Sequence, residues 1–175
     1  MEKDFELFDE ELFNYFLNNS ENMPGRLIKF LAHFYPDARI RKLYLAKLGV
    51  ILGENSFTNF GFNCVFAAEG VSATIGKNVS IAPNVTLICN SAANNGMEIN
   101  TIPYVKEKLT RCEPIIIEDE VWIGANVTIL PGIRVGKCSV LAAGSVIIEN
   151  VEPYSIYAGV PAKRIRDLLS GERVG

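Results

Sequence analysis

The chain is most restrictive in what it lacks. Its 175 residues include one histidine, His33, and one tryptophan, Trp122. A zinc centre built on clustered imidazoles is therefore excluded within one chain. The four cysteines, Cys64, Cys89, Cys112 and Cys138, form no C-x-x-C pair, so no dithiol redox motif or zinc clip is written locally. They fall inside or near strand-like segments and read as buried thiols of a reducing compartment. No uncharged apolar run reaches the roughly 18 residues of a membrane span, and the N-terminus MEKDFELFDEE is acidic where a secretory leader is basic. Clustered cations are missing too. With a net charge of −3, and basic residues dispersed apart from Lys163, Arg164 and Arg166, the chain does not suit nucleic acid, whose phosphates must be neutralised. A soluble cytoplasmic protein is the expectation.

What is present is a period. Residues 117–147 read in sixes as IEDEVW, IGANVT, ILPGIR, VGKCSV and LAAGSV, with Ile117, Ile123, Ile129, Val135, Leu141 and Ile147 in one phase. A helix repeats at about 3.6 residues and a half-buried strand at 2, so a period of six with a leading aliphatic predicts a coil of short strands. Three units make one turn of a triangular parallel β-helix, in which each leading residue points inward and stacks on its counterpart about 4.8 Å away. Val121, Val127 and Ile133 add a second inward position, which lapses at Ser139 and Ser145. The intervening Gly, Asn, Asp, Lys and Pro suit tight corners.

The remainder arranges itself around this coil. Phe5, Phe8, Leu12 and Phe16, broadened by Phe13 and Leu17, predict an amphipathic helix. Further helices are expected over residues 27–34 and 40–48, after the turn signals Met23-Pro24-Gly25 and Pro36-Asp37. Together, residues 1–50 form a helical cap that hides the coil's open end. The coil itself spans 51–152. Its phase begins weakly at Leu52, is broken by residues 70–74, resumes at Ile75, Ile81 and Leu87, and stops again for an inserted loop at about 93–115. A loop of that length in a compact domain is generally functional or disordered. A functional loop is expected here, with Tyr104, Lys106, Lys108 and Arg111 reaching a ligand or another subunit. Residues 153–175 form a tail ending in a short helix, with Ile165 and Leu168 packed inward.

NVSIAPNVTL, IIIEDEVWIGANVTILPGIRVG, AAGSVI and YAGVPAKRIR together resemble the hexapeptide-repeat O-acetyltransferases of the galactoside, maltose and polysaccharide type, over roughly residues 52–166. The resemblance implies a mainly β, left-handed parallel β-helix that forms a homotrimer, with sites between adjacent subunits. That handedness departs from the usual right-handed crossover. It further implies acetyl-CoA as acyl donor and a small sugar-like acceptor. By the match, Trp122 sits at the acyl end, Ala125 and Ala143 offer backbone groups to the pantetheine arm, and Lys163 with Arg166 approach the phosphates. Small residues at Ala142, Ala143 and Gly144 permit close approach of a thin ligand, and cations suit a phosphorylated nucleotide. On the acceptor side Asn63 keeps the family's asparagine, while Ala68 or Glu69 stands near its aspartate. The family's Thr-Lys near the coenzyme is Ile148-Glu149 here.

One departure reaches the chemistry. The family's histidine base falls at Ala92, and no histidine lies nearby. A base near neutral pKa contributes about 10²–10⁴-fold when a hydroxyl attacks, so the catalytic residue is left unknown and three readings stay open. Glu69, Glu98 or His33 of a neighbouring subunit's cap substitutes as base. Alternatively the acceptor is an amine with pKa near 8, such as an amino sugar, which attacks without a protein base, helped by positioning and by donors drawn from Asn63, Asn84, Asn90 and Asn94. Or the trimer is a non-catalytic coenzyme-binding scaffold. A γ-class carbonic anhydrase shares such a coil but needs a histidine cluster, which one histidine cannot supply.

Overall fold

A computed structural model describes residues 2–67 and 69–174, with side chains from Leu7 onward. The side chain of Phe5 and the whole of Ala68 lie outside it. Three helices come first: α1 (Glu2–Asn18), α2 (Gly25–Phe34) and α3 (Ala38–Lys47). Asp37 caps α3 by accepting from the Arg39 amide at 2.7 Å, the arrangement that satisfies a first-turn N–H. Its Arg39 partner also holds the Asp37 carboxyl below the ordinary carboxylate range.

The coil follows in turns. The first turn holds β1 (Val50–Leu52) and β2 (Asn63–Val65), with Phe57 bridging to Ser80 in place of a full strand between them. The second holds β3 (Ala73–Ile75), β4 (Ser80–Ile81) and β5 (Thr86–Ile88). After an insertion stemmed by the antiparallel pair β6 (Asn90–Ser91) and β7 (Arg111–Cys112), the third holds β8 (Ile115–Ile117), β9 (Trp122–Ile123) and β10 (Thr128–Ile129). The fourth holds β11 (Arg134–Val135), β12 (Val140–Leu141) and β13 (Val146–Ile147). Strands stack in parallel into three faces, ordered β1-β3-β8-β11, β4-β9-β12 and β2-β5-β10-β13.

The period accounts for the packing. Ile117 lies in register with Ile75 and Val135, Ile123 with Ile81 and Leu141, and Ile129 with Leu87 and Ile147. All six leading residues from Ile117 to Ile147 are at most 1% exposed, each burial contributing about 1.5–3 kcal/mol. Ser139 and Ser145 keep the second inward position although they are polar. Both are fully buried; Ser139 Oγ donates to the Gly136 carbonyl at 2.7 Å, and Ser145 Oγ accepts from the Gly159 amide at 3.2 Å. A buried hydroxyl with a partner costs little.

Corners recur in columns of left-handed backbone. Asn55, Asn78, Glu120, Cys138 and Tyr154 turn the chain from the first face to the second, and Gly61, Asn84, Asn126 and Gly144 turn it from the second to the third. Asparagine tolerates this region better than most residues. Cys138 therefore sits at a corner, half-buried, and Cys112 is exposed on β7. The expectation of four buried thiols holds only for Cys64 and Cys89, whose sulfurs lie 3.9 Å apart inside the prism. Contact with the Cys89 sulfur, and then burial, raise the Cys64 thiol.

The cap does more than cover. The first coil has no coil beneath it, so some of its carbonyls face α2 and α3 rather than another strand. His33 Nδ1 lies 3.2 Å from the Phe62 carbonyl, Arg41 Nη2 donates to Thr58 at 2.6 Å, and Lys42 donates to Gly53. Arg41 also donates to Tyr35 and Pro36 carbonyls at 2.7 Å and is only 4% exposed. An unpartnered carbonyl row at a buried edge would cost several such bonds. On α1 the cover is thinner than its spacing predicts: Phe13 and Phe16 pack on the core, while Phe8 and Leu17 remain exposed.

The C-terminal tail is not helical. β14 (Ser155–Gly159) extends the second face on β12, and β15 (Ala162–Asp167) returns antiparallel along it. Ile165 and Leu168 are exposed, and Tyr157 and Ala162 are the inward residues instead. The segment AKRIRD has neither capping box nor sufficient length for an isolated helix, whereas the last strand of the coil offers an open edge, and the returning strand covers it.

Candidate functional site

Most of the candidates expected from sequence fall along one edge of the prism, where the second face turns into the third. Asn84 and Asn126 occupy its left-handed corner in successive coils, and Gly144 follows. Ala125 accepts from the Gly144 amide at 2.8 Å, so Ala125 and Ala143 flank this corner one above the other. A Cβ on Gly124 would meet the Ala143 nitrogen at 2.6 Å; the two coils touch there backbone to backbone, which explains the glycine. Trp122 precedes this corner on β9, in register with Ser80 and Val140, and is 61% exposed. An indole this exposed on a sheet face is available to a ligand rather than to the core. The hairpin tip at Gly159 continues the edge upward through its bond to Ser145.

At the foot of the edge stand Gly61, Phe62 and Asn63. Asn84 folds onto Gly61 so closely that a Cβ there would meet its Oδ1 at 2.0 Å. Asn63 is exposed on β2, in register with Thr86. Glu69 is exposed beyond the end of β2 and is separate from this group in the fold. Ala92 follows β6, exposed, at the root of the insertion. The insertion contains one turn over Ile99–Thr101 and another over Val105–Leu109. Val105 anchors it, while Tyr104, Lys106, Lys108 and Arg111 are exposed.

The cationic end differs from expectation in detail. Lys163 extends from β15 next to Ala158 and pairs with Glu149 at 3.0 Å. Arg166 lies opposite Ile156, further from the hairpin tip, and its Nη1 donates to the Gly171 carbonyl at 2.6 Å. The structure therefore does not bring Lys163 and Arg166 together. Arg164, between them, is held by Glu152 and Asp167 at 2.6 and 2.8 Å. Asp167 in turn accepts from the Ser170 and Leu169 amides, which keep its carboxyl below the ordinary range. Lys163, Arg164 and Arg166 thus each have an intramolecular partner. Glu149, which stands where the resemblance puts a lysine, is thus the partner of Lys163, a pairing that the spacing does not foretell.

Among the described residues no group of His, Cys, Asp and Glu is placed to hold a metal ion, and no helix is long and apolar enough to cross a membrane. A cavity of about 650 Å³ opens in the cap, lined in part by Asp9, Phe13, Tyr35 and Asp37. It lies away from the prism edge.

The coil, with its corner columns and one exposed aromatic edge, defines a hexapeptide-repeat solenoid. The family described as hexapeptide repeat of succinyl-transferase matches residues 114–149. A probable macrolide acetyltransferase of Lysinibacillus sphaericus is 38% identical over 117 residues, 60% of this chain and 65% of that protein. The galactoside O-acetyltransferase of Escherichia coli K12 is 36% identical over 118 residues, 67% of this chain and 53% of that protein. Among solved structures, a hexapeptide-repeat acetyltransferase from Vibrio cholerae superposes with a TM-score of 0.64 at 28% identity, covering 82% of this chain and 88% of that one. A galactoside acetyltransferase in complex with coenzyme A gives a TM-score of 0.64 at 29% identity, covering 82% and 78%. Residues 114–149 carry the hexapeptide repeat of that family, and the coil has the left-handed parallel β-helix fold of these acetyltransferase structures. The chain spans about half to two thirds of the length of the curated relatives it matches.

Proposed function

We propose that the protein is an acetyl-CoA-dependent acyltransferase that moves an acetyl group to a sugar or sugar-like acceptor, at a site between adjacent subunits of a homotrimer. The observation that carries this reading is the single edge on which Trp122, Ala125 and Ala143 stand above Asn84 and Asn63. The small residues leave the backbone open to a thin pantetheine arm, and Trp122 offers a face beside the acyl end. Lys163 lies above them toward the phosphates; Arg166 is a more distant contributor. Asn63, Asn84 and Glu69 are the acceptor-side residues, Glu69 the most remote. The similarity to acetyltransferases, one of them solved with coenzyme A, supports the donor. In this reading residues 1–50 are the cap, 51–152 the scaffold with its insertion, and 153–175 the closing tail. A cytoplasmic location goes with use of a coenzyme A thioester.

A second reading, transfer to an amine, is favoured by one observation: Ala92 stands where a base is expected in the coil. Several relatives similar over about a third of this chain are named N-acetyltransferases, one 52% identical over 56 residues. Calorimetric titration with coenzyme A tests the shared premise; absence of binding would sink both readings. Thiol release against matched sugars and amino sugars separates them.

A further inference from the structure

The coil carries no histidine, yet the chain's one imidazole is placed at the foot of the candidate edge. His33 projects from α2, half-buried, with Nδ1 3.2 Å from the Phe62 carbonyl oxygen. A carbonyl only accepts, so this contact requires the proton on Nδ1. In a neutral ring Nε2 then carries the unshared lone pair. Phe62 stands between Gly61, on which Asn84 folds, and Asn63 on β2. The rings of Phe34 and Phe66 each lie 6.2 Å from the imidazole and give it apolar walls. Arg41 and Lys42, which reach the first coil from the same cap, are committed to carbonyls and cannot accept a proton.

We infer that, within the acetyltransferase reading above, His33 Nε2 is the general base for a hydroxyl acceptor held at the foot of this edge by Asn63 and Asn84. Nε2 takes the acceptor's O–H proton as that oxygen bonds to the acetyl carbonyl carbon. The carbon–sulfur bond then breaks, and the imidazolium returns the proton to the departing thiolate. The products are an acetyl ester and the coenzyme A thiol. The Phe62 carbonyl sets the tautomer, as backbone carbonyls do for other working imidazoles.

His33 also closes the first coil's edge, and the test must separate that from base catalysis. His33→Asn does so, because an amide N–H₂ replaces the Nδ1 donor and nothing replaces Nε2. Methyl glucoside and glucosamine serve as hydroxyl and amine probes. The expected result is that His33→Asn melts at the wild-type temperature and binds coenzyme A equally, yet loses about 10²-fold or more in thiol release with methyl glucoside. The wild type's fall in kcat/KM toward acid pH disappears with it. With one histidine per chain, ¹⁵N-histidine labelling reports a single imidazole, and it should show the Nδ1–H tautomer without any acceptor present. Undiminished turnover in His33→Asn, or an Nε2–H tautomer, overturns the assignment. Wild-type coenzyme A binding with turnover of glucosamine alone overturns it while leaving acetyl transfer intact. Failure of the wild type to bind coenzyme A overturns both.

Discussion

The third and fourth coils and the first two coils are built on one plan and differ in how strictly they keep it. From Ile115 to Ile147 every leading position is a fully buried aliphatic, and corresponding residues recur at intervals of 18, as Ile117 and Val135 do. In the first two coils Thr58 and Cys64 take leading positions beside Leu52, Phe57 makes a bridge rather than a strand, and an insertion interrupts the count after β5. The strict half can be regular because each coil rests on another coil. The first turn instead rests on helices, whose polar side chains meet its backbone carbonyls. Under the proposed function, scaffold and donor track therefore share the regular half, and acceptor residues and cap share the irregular one.

The sharpest way to break the regular half is at its centre. Ile129 is fully buried between Leu87 and Ile147, so Ile129→Ala should cost about 2–5 kcal/mol, the range for deleting such a side chain from a core that cannot collapse. Urea denaturation measures it. Cys64→Ala, at the matching position of the first coil, removes only a sulfur and should cost clearly less; equal losses would erase the distinction between the halves. Next comes the junction with the cap. Arg41→Ala orphans the Thr58 carbonyl together with those of Tyr35 and Pro36, for a loss of about 2–3 kcal/mol when a buried acceptor goes unpaired. Loss of the cap's helical signal at a lower urea concentration than the coil's would locate the damage there.

These two sites also show what could be read from the chain. Ile129 was legible because its role repeats: the same residue type at a fixed interval has one physical meaning wherever it recurs. Ser139 and Ser145 were half-legible, since the period predicted burial and the residue type did not. Arg41 was not legible, because its partner is a backbone carbonyl of Thr58, 17 residues away, and no residue type announces that. His33 was legible as one of three candidate bases, but its contact with the Phe62 carbonyl, 29 residues away, was not, for the same reason. The tail was misread because alternating residues in AKRIRD become a strand only when β14 presents an edge. Within the candidate site, Trp122, Ala125 and Ala143 followed from the resemblance and do share an edge, while the separation of Arg166 from Lys163 depends on a hairpin that the spacing did not foretell.

Two smaller effects sharpen the division between scaffold and ligand track. Trp122 is exposed on β9 and contributes little to the core, so Trp122→Ala should leave the melting temperature within about a degree, given that surface changes rarely exceed 0.5 kcal/mol. Under the proposed function the same change weakens coenzyme A about tenfold, or about 1.4 kcal/mol. Calorimetry with coenzyme A reads this directly. Unaltered affinity would remove the indole from the donor track.

The smallest effect concerns the pair at the top of the edge. Lys163 and Glu149 are both more than half exposed, at 62% and 51%, and 3.0 Å apart. Such a pair contributes about 0–1 kcal/mol to stability, and Glu149→Gln should leave unfolding unchanged. Under the proposed function its consequence lies in binding. Glu149 offsets Lys163 near the hairpin tip, and the neighbouring Arg164 and Arg166 are occupied by Glu152, Asp167 and Gly171. A phosphate approaching this end must therefore compete with a carboxylate for Lys163. Removing that carboxylate should tighten coenzyme A by roughly two- to fivefold at low ionic strength, with the gain fading as salt screens it. 3′-Dephospho-coenzyme A, with less negative charge, should gain less. Equal gains for the two ligands would mean that Lys163 does not face the 3′-phosphate, and a gain that survives high salt would mean that charge is not the cause.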